Sequence, residues 1–182
     1  MCMMRTSSIL RRSLPVVVVA CLAVVLLPLH AQTPSSAQTK ILQPEDLSRT
    51  MPGTVFFRGQ SASVQLRNTY GLRLPDGALV MAALVDSSGY SSGIQQKYQG
   101  YILSEVALTI NGRTLPAGAY GFGMRANDNF VVMDLGAQDI LQTQSHTDAA
   151  LSRPRPLAIT AGQHPGSFRL YEGKRYVSIG LK

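Results

Sequence analysis

From Thr54 onward apolar residues recur at every second position. Val64 and Leu66 alternate with Ser63, Gln65 and Arg67, and Leu72 and Leu74 alternate with Arg73. A period of two sends successive side chains to opposite faces, which predicts half-buried β-strands. Pro75-Asp76-Gly77 then supplies a turn, and Ala78 to Val85 follows as an unbroken apolar run of strand length. A run apolar on both faces predicts a central strand, although a short buried helix has the same signature.

The sharpest local signal is Val106-Ala107-Leu108-Thr109-Ile110, then Asn111-Gly112, then Arg113-Thr114-Leu115. Asn-Gly between such flanks predicts a hairpin with a type I′ turn, because both central residues must take positive φ. In Ala119 to Met124, Tyr120, Phe122 and Met124 share one face while Ala119, Gly121 and Gly123 leave room on the other for large neighbours. Asn127-Asp128-Asn129 closes a further hairpin into Phe130–Leu135. Pro44-Glu45-Asp46-Leu47-Ser48 predicts one helical turn with proline near its start, and Ile94–Tyr98 a short helix. Asp139–Leu151 is expected to be a helix despite poorly spaced apolar residues. Arg153-Pro154-Arg155-Pro156 forces an extended segment, and strands are expected at Leu157–Thr160, Ser167–Tyr171 and Arg175–Leu181. Many short strands punctuated by glycine and proline predict a mainly β fold: an antiparallel β-sandwich or partly closed barrel with one or two short helices.

The stretch Leu108 to Phe122, with Asn111-Gly112-Arg113 followed by Leu115-Pro116-Ala117-Gly118-Ala119-Tyr120, resembles a hairpin of exported bacterial β domains of unknown function. With the return strand the resemblance spans residues 108–135. It implies an exported β fold and transfers no catalytic residue.

The start of the chain points to export as well. Arg5, Arg11 and Arg12 precede an apolar core from Leu14 to Leu27, bracketed by Pro15 and Pro28, and Leu29-His30-Ala31 offers a cleavage site. Residues 1–31 therefore read as a signal peptide, which leaves no transmembrane span once cleaved. Val18-Val19-Ala20-Cys21 also resembles a lipobox, so lipid anchoring through Cys21 stands as the alternative to a free periplasmic or extracellular protein. Gln32–Gln43 reads as a flexible tether, and 44–182 as a single β domain of a size that buries about two-thirds of its unfolded surface.

Removing the leader changes the composition. Both cysteines, Cys2 and Cys21, lie within it, so the mature chain has no disulfide, zinc ribbon or cysteine nucleophile. Of the 17 basic residues three lie in the leader, and the remaining fourteen against 10 acidic ones give a net charge of +4. The excess sits at the C-terminal end: Arg153, Arg155, Arg169, Lys174, Arg175 and Lys182 face a single carboxylate there, Glu172. Arg169, Lys174 and Arg175 are accordingly candidate contacts to an anionic surface such as lipid headgroups, lipopolysaccharide or cell-wall polymer. An alternative use of the same cations is to discourage edge-to-edge strand pairing. Nucleic acid is excluded as a partner by compartment.

No catalytic or metal-binding motif stands out, and no cofactor is implied. His146 and His164 both fall in turn-like sequence. Glu105, Asp128, Asp134 and Asp139 are candidates for the carboxylate pair of a glycoside hydrolase, with solvated strand faces as the simpler reading. Tyr90, Tyr98 and Tyr101 surround the Gly/Ser-rich loop and form a candidate ligand-binding platform, unless their rings belong to the core. The expectation is an exported envelope protein acting as a non-enzymatic binding or structural β domain; the alternative is a small envelope hydrolase or carbohydrate-active enzyme using paired carboxylates.

Overall fold

The computed structural model describes residues 38–182. The expected signal peptide with Cys21, and the first part of the expected tether, lie outside the described residues. The strands are β1 (Lys40–Leu42), β2 (Thr54–Phe57), β3 (Gln60–Arg73), β4 (Leu79–Val85), β5 (Gly100–Ser104), β6 (Leu108–Ile110), β7 (Arg113–Leu115), β8 (Gly118–Met124), β9 (Asn129–Met133), β10 (Asp139–Gln144), β11 (His146–Thr147), β12 (Arg155–Ala161), β13 (Ser167–Gly173) and β14 (Arg175–Leu181). Two single-turn helices accompany them, α1 (Pro44–Leu47) and α2 (Ser92–Gln95). The larger sheet runs β1-β3-β4-β5-β8-β9-β10 with β2 paired to β3, and the smaller runs β12-β13-β14-β6-β7 with β11 paired to β14. Every pairing is antiparallel. The fold is a β-sandwich of two open sheets, with no closed barrel among the described residues.

The sandwich core is built from the inward sides of both sheets. Leu72, Val80, Ile102, Phe122, Phe130 and Val132 of the larger sheet meet Leu108, Ile110, Leu157, Leu170, Val177 and Ile179 of the smaller. The larger sheet has a second buried face. Met81, Ala83, Val85, Tyr101, Val131 and Met133 pack there under Leu47 of α1, Phe57 of β2, Ile94 of α2 and the flanking loop residues Tyr90 and Tyr98. This double burial is why β4 carries no polar alternation.

The Asn-Gly hairpin forms as its sequence predicts. Asn111 and Gly112 have φ of 46° and 80°, and Leu108, Thr109 and Ile110 pair with Leu115, Thr114 and Arg113. The Asn111 side chain does further work, accepting the Ser178 amide at 2.8 Å and donating to the Gln144 carbonyl at 2.7 Å, so it joins β14 to the end of β10. The small face of β8 is filled as expected: the Phe57 and Tyr98 rings stack 3.9 Å apart, and a Cβ at Gly121 would stand 2.5 Å from Phe57.

Three expectations are corrected. Asp139–Leu151 is no helix: Asp139–Gln144 pairs with β9 at the sheet edge, and His146–Thr147 pairs with β14. Its apolar residues cannot form a helical stripe, whereas an edge strand needs only Leu141 inside, with Ile140 accommodated at a register shift. The expected tether ends early, because Lys40–Leu42 adds a strand to β3 and buries Leu42. The helix expected over Ile94–Tyr98 is a turn displaced toward Ser92, with the Tyr98 amide still bonded to the Ile94 carbonyl.

Candidate functional site

The three tyrosines of the candidate platform lie inside. Tyr90, Tyr98 and Tyr101 are 6%, 0% and 4% exposed, so no ring face is open to a ligand. They hold the Gly/Ser-rich loop and the β2–β3 hairpin onto the larger sheet. The Tyr90 hydroxyl donates to the carbonyls of Phe57 and Gln60 at 3.0 and 3.2 Å, and that of Tyr101 to Phe56 at 3.3 Å. The Tyr98 hydroxyl is buried without a partner, and burial raises its pKa.

The three candidate cations divide between the two faces of the smaller sheet, because alternate residues of a strand point opposite ways. On the inward side Phe168, Leu170 and Glu172 of β13 match Ile179, Val177 and Arg175 of β14. Arg175 reaches across to the larger sheet, donating to the carbonyls of Arg125 at 2.7 Å and Met124 at 3.2 Å and pairing with Asp128 at 3.6 Å. It is a tie between sheets. Arg169 is on the outward side, with its guanidinium 4.5 Å above the Tyr176 ring. It also donates to the Tyr171 hydroxyl at 3.3 Å, the contact that does most to raise its pKa. Lys174 is exposed in the β13–β14 turn.

Around Arg169 the outward face carries a row of rings. His146 lies 5.4 Å from Tyr176, which lies 5.1 Å from Tyr171. Asp148 accepts from the Tyr171 hydroxyl at 2.9 Å and stands 3.9 Å from Arg169. The carboxylate next to the imidazole in sequence is thus committed to a tyrosine and an arginine. His164 belongs to a turn, where its amide donates to Ser167 Oγ at 3.1 Å.

The four carboxylates considered for acid–base work each have a separate local partner. Glu105 accepts the Leu79 amide at 2.8 Å; Asp134 accepts the Gly136 and Gln138 amides, both at 2.9 Å. Asp128 pairs with Arg175, and Asp139 with Lys97. Among the described residues no group of three His, Cys, Asp or Glu side chains is placed to hold a metal, and no helix is long and apolar enough to cross a membrane.

Besides a cleft of about 600 Å³ around the β12–β13 turn, with Gly162, His164 and Phe168 in its lining, two clefts flank the smaller sheet. One, of about 600 Å³, is lined by Gln96, Gln99, Met124, Arg125, Asn127 and Arg175 where the β8–β9 turn approaches β14. The other, of about 290 Å³, opens beside β12 and includes Arg153, Arg155, Tyr70 and Tyr171 in its lining. Neither lining contains a carboxylate. The sequence signal for the second cleft is the Arg-Pro-Arg-Pro segment, legible beforehand only as extended chain.

The class that the geometry defines is an antiparallel β-sandwich, with Arg169, Tyr171 and Tyr176 clustered on the outward face of its smaller sheet. Compared with known proteins, the chain matches no family model, no curated protein and no solved structure.

Proposed function

We propose that this is an exported, non-enzymatic binding domain that holds an anionic polymer of the cell envelope against its smaller sheet. One observation carries the reading. From Arg153 onward the chain has six cations and one carboxylate, and that carboxylate, Glu172, is turned inward among the sheets. The outward side, the β12 edge and the β13–β14 turn are left with Arg153, Arg155, Arg169 and Lys174, and of these Arg169 is paired, with Asp148. Such an imbalance attracts polyanions from a distance and is screened by salt. Arg169 is held on the Tyr176 ring, bonded to the Tyr171 hydroxyl and beside Asp148, with a fifth of its side chain exposed, so its position on the face is fixed before contact.

Polygalacturonate, a carboxylate polymer, is a suitable probe. The purified protein is expected to bind the immobilised polymer, and Arg169→Gln with Lys174→Gln to weaken binding severalfold while leaving the melting transition in place. Arg175 is excluded from the variant because it ties the sheets together. Equal binding by the wild type and the double variant would sink the assignment of this face.

A further inference from the structure

Resting on that reading, we infer that the cleft beside β12 is a discrete oxyanion subsite, in which Arg153 and Arg155 grip one carboxylate or phosphate group of a compact, ring-sized ligand unit. The two arginines are separated by Pro154 and followed by Pro156. Proline fixes its own φ and pushes the preceding residue toward extended backbone, so the segment is stiff before anything binds. Both arginines line the same cleft. Arg155 is oriented by its bond to the Tyr70 hydroxyl at 2.9 Å, which leaves guanidinium donors unused.

The charge balance is what distinguishes this cleft. Among the described residues Lys40, Lys97, Arg169 and Arg175 have a carboxylate within 4.0 Å and the other ten lysines and arginines have none; Arg153 and Arg155 are two of these ten that line one cleft together. The nearby acids are committed elsewhere. Asp148 is held by Tyr171 and Arg169, and Glu172 points to the inter-sheet side with Arg175. Two unneutralised guanidinium groups in one concavity favour an oxyanion, which each can bind through two parallel N–H bonds.

The rest of the lining sets the shape of the ligand. Leu151 and Ile159 provide apolar contact and Tyr171 a ring edge, while the volume of about 290 Å³ suits one monosaccharide-sized unit. A uronate residue of a polysaccharide and a phosphate carried on a glycerol unit share this chemistry.

NMR titration of the full protein separates the sources. Sodium glucuronate and glycerol 3-phosphate serve as probes, with glucose and glycerol as uncharged counterparts. Saturable shifts at the amides of Ala158, Thr160 and Tyr171 with an anion, and none with its neutral counterpart, are expected. A response to glucuronate alone assigns a carboxylate, and a response to glycerol 3-phosphate alone assigns a phosphate. Among the described residues the Arg153 side chain makes no hydrogen bond or ion pair; Arg153→Gln is expected to weaken binding about tenfold, and Arg155→Lys to weaken it while keeping the charge. No saturable shift with either anion, or unchanged affinity in Arg153→Gln, overturns the subsite. If polygalacturonate binding persists in that case, the subsite fails and the binding face stands; if small anions bind but the polymer does not, the reverse holds.

Discussion

Glu172 and Arg175 are register partners at the β13–β14 turn and both point between the sheets, yet the arginine donates to the carbonyls of Arg125 and Met124 rather than to the glutamate. Glu172 Oε2 is buried without a hydrogen-bond partner, and burial pushes the carboxyl pKa up to about 7 against the opposing pull of the Arg175 charge. A carboxyl that binds its proton more tightly folded than unfolded stabilises the fold at low pH. That contribution is complete below the ordinary value of 4.5 and is lost as pH rises through about 7. Chemical denaturation at a series of pH values should therefore show stability falling between these limits. Glu172→Gln should flatten the profile and raise stability at pH 8 by on the order of 1–3 kcal/mol; an unchanged slope in the variant would refute the assignment.

Arg175→Ala removes a charged donor from two carbonyls of the facing sheet. A loss of about 2–4 kcal/mol is expected, measured as a lower denaturation midpoint. Arg169→Ala, on the outward side, should cost about 1 kcal/mol or less. Equal losses would mean that Arg175 does not tie the sheets.

At Gly121 any side chain collides with the Phe57–Tyr98 stack, since even a Cβ would lie 2.5 Å from one ring and 3.0 Å from the other. Gly121→Ala should destabilise by about 1–3 kcal/mol. The neighbouring hydroxyls behave oppositely. Tyr98→Phe removes a buried, unpartnered hydroxyl and should be neutral or stabilising by up to about 1 kcal/mol, whereas Tyr90→Phe forfeits bonds to two carbonyls and should cost about 1 kcal/mol. Thermal melts of the three variants check the order.

What could be read from the chain follows from how local each signal is. Asn111-Gly112 specifies its turn within two residues, and the β4 run carries its double burial in its own composition. The equivalent hairpin at Arg58-Gly59, with φ of 47° and 82°, has the same backbone without the usual asparagine or aspartate, so nothing local announces it. Asp139–Gln144 is a strand because β9 offers an edge, a fact about a distant segment. The tyrosines misdirected the site for a related reason. A glycine-rich loop looks exposed in sequence, but Gly121 lies elsewhere in the chain and its missing side chain makes the space into which Phe57 and Tyr98 pack. The cations were visible, and their division between two faces required the β13–β14 register.

The leader makes its own prediction. Mass spectrometry of the mature N-terminus should find Gln32 as the first residue if the signal is cleaved after Ala31, and a diacylated Cys21 if the lipobox-like stretch is used. Either result fixes how the face proposed for binding would be tethered.

The proposed binding rests on charge carried by the smaller sheet, and the salt dependence of polymer binding tests that most directly. Binding of the purified protein to polygalacturonate and to uncharged dextran should be measured over a range of sodium chloride concentrations. Affinity for polygalacturonate that falls steadily as salt rises, with no affinity for dextran, is the predicted result. Salt-independent binding, or equal binding to dextran, would contradict it.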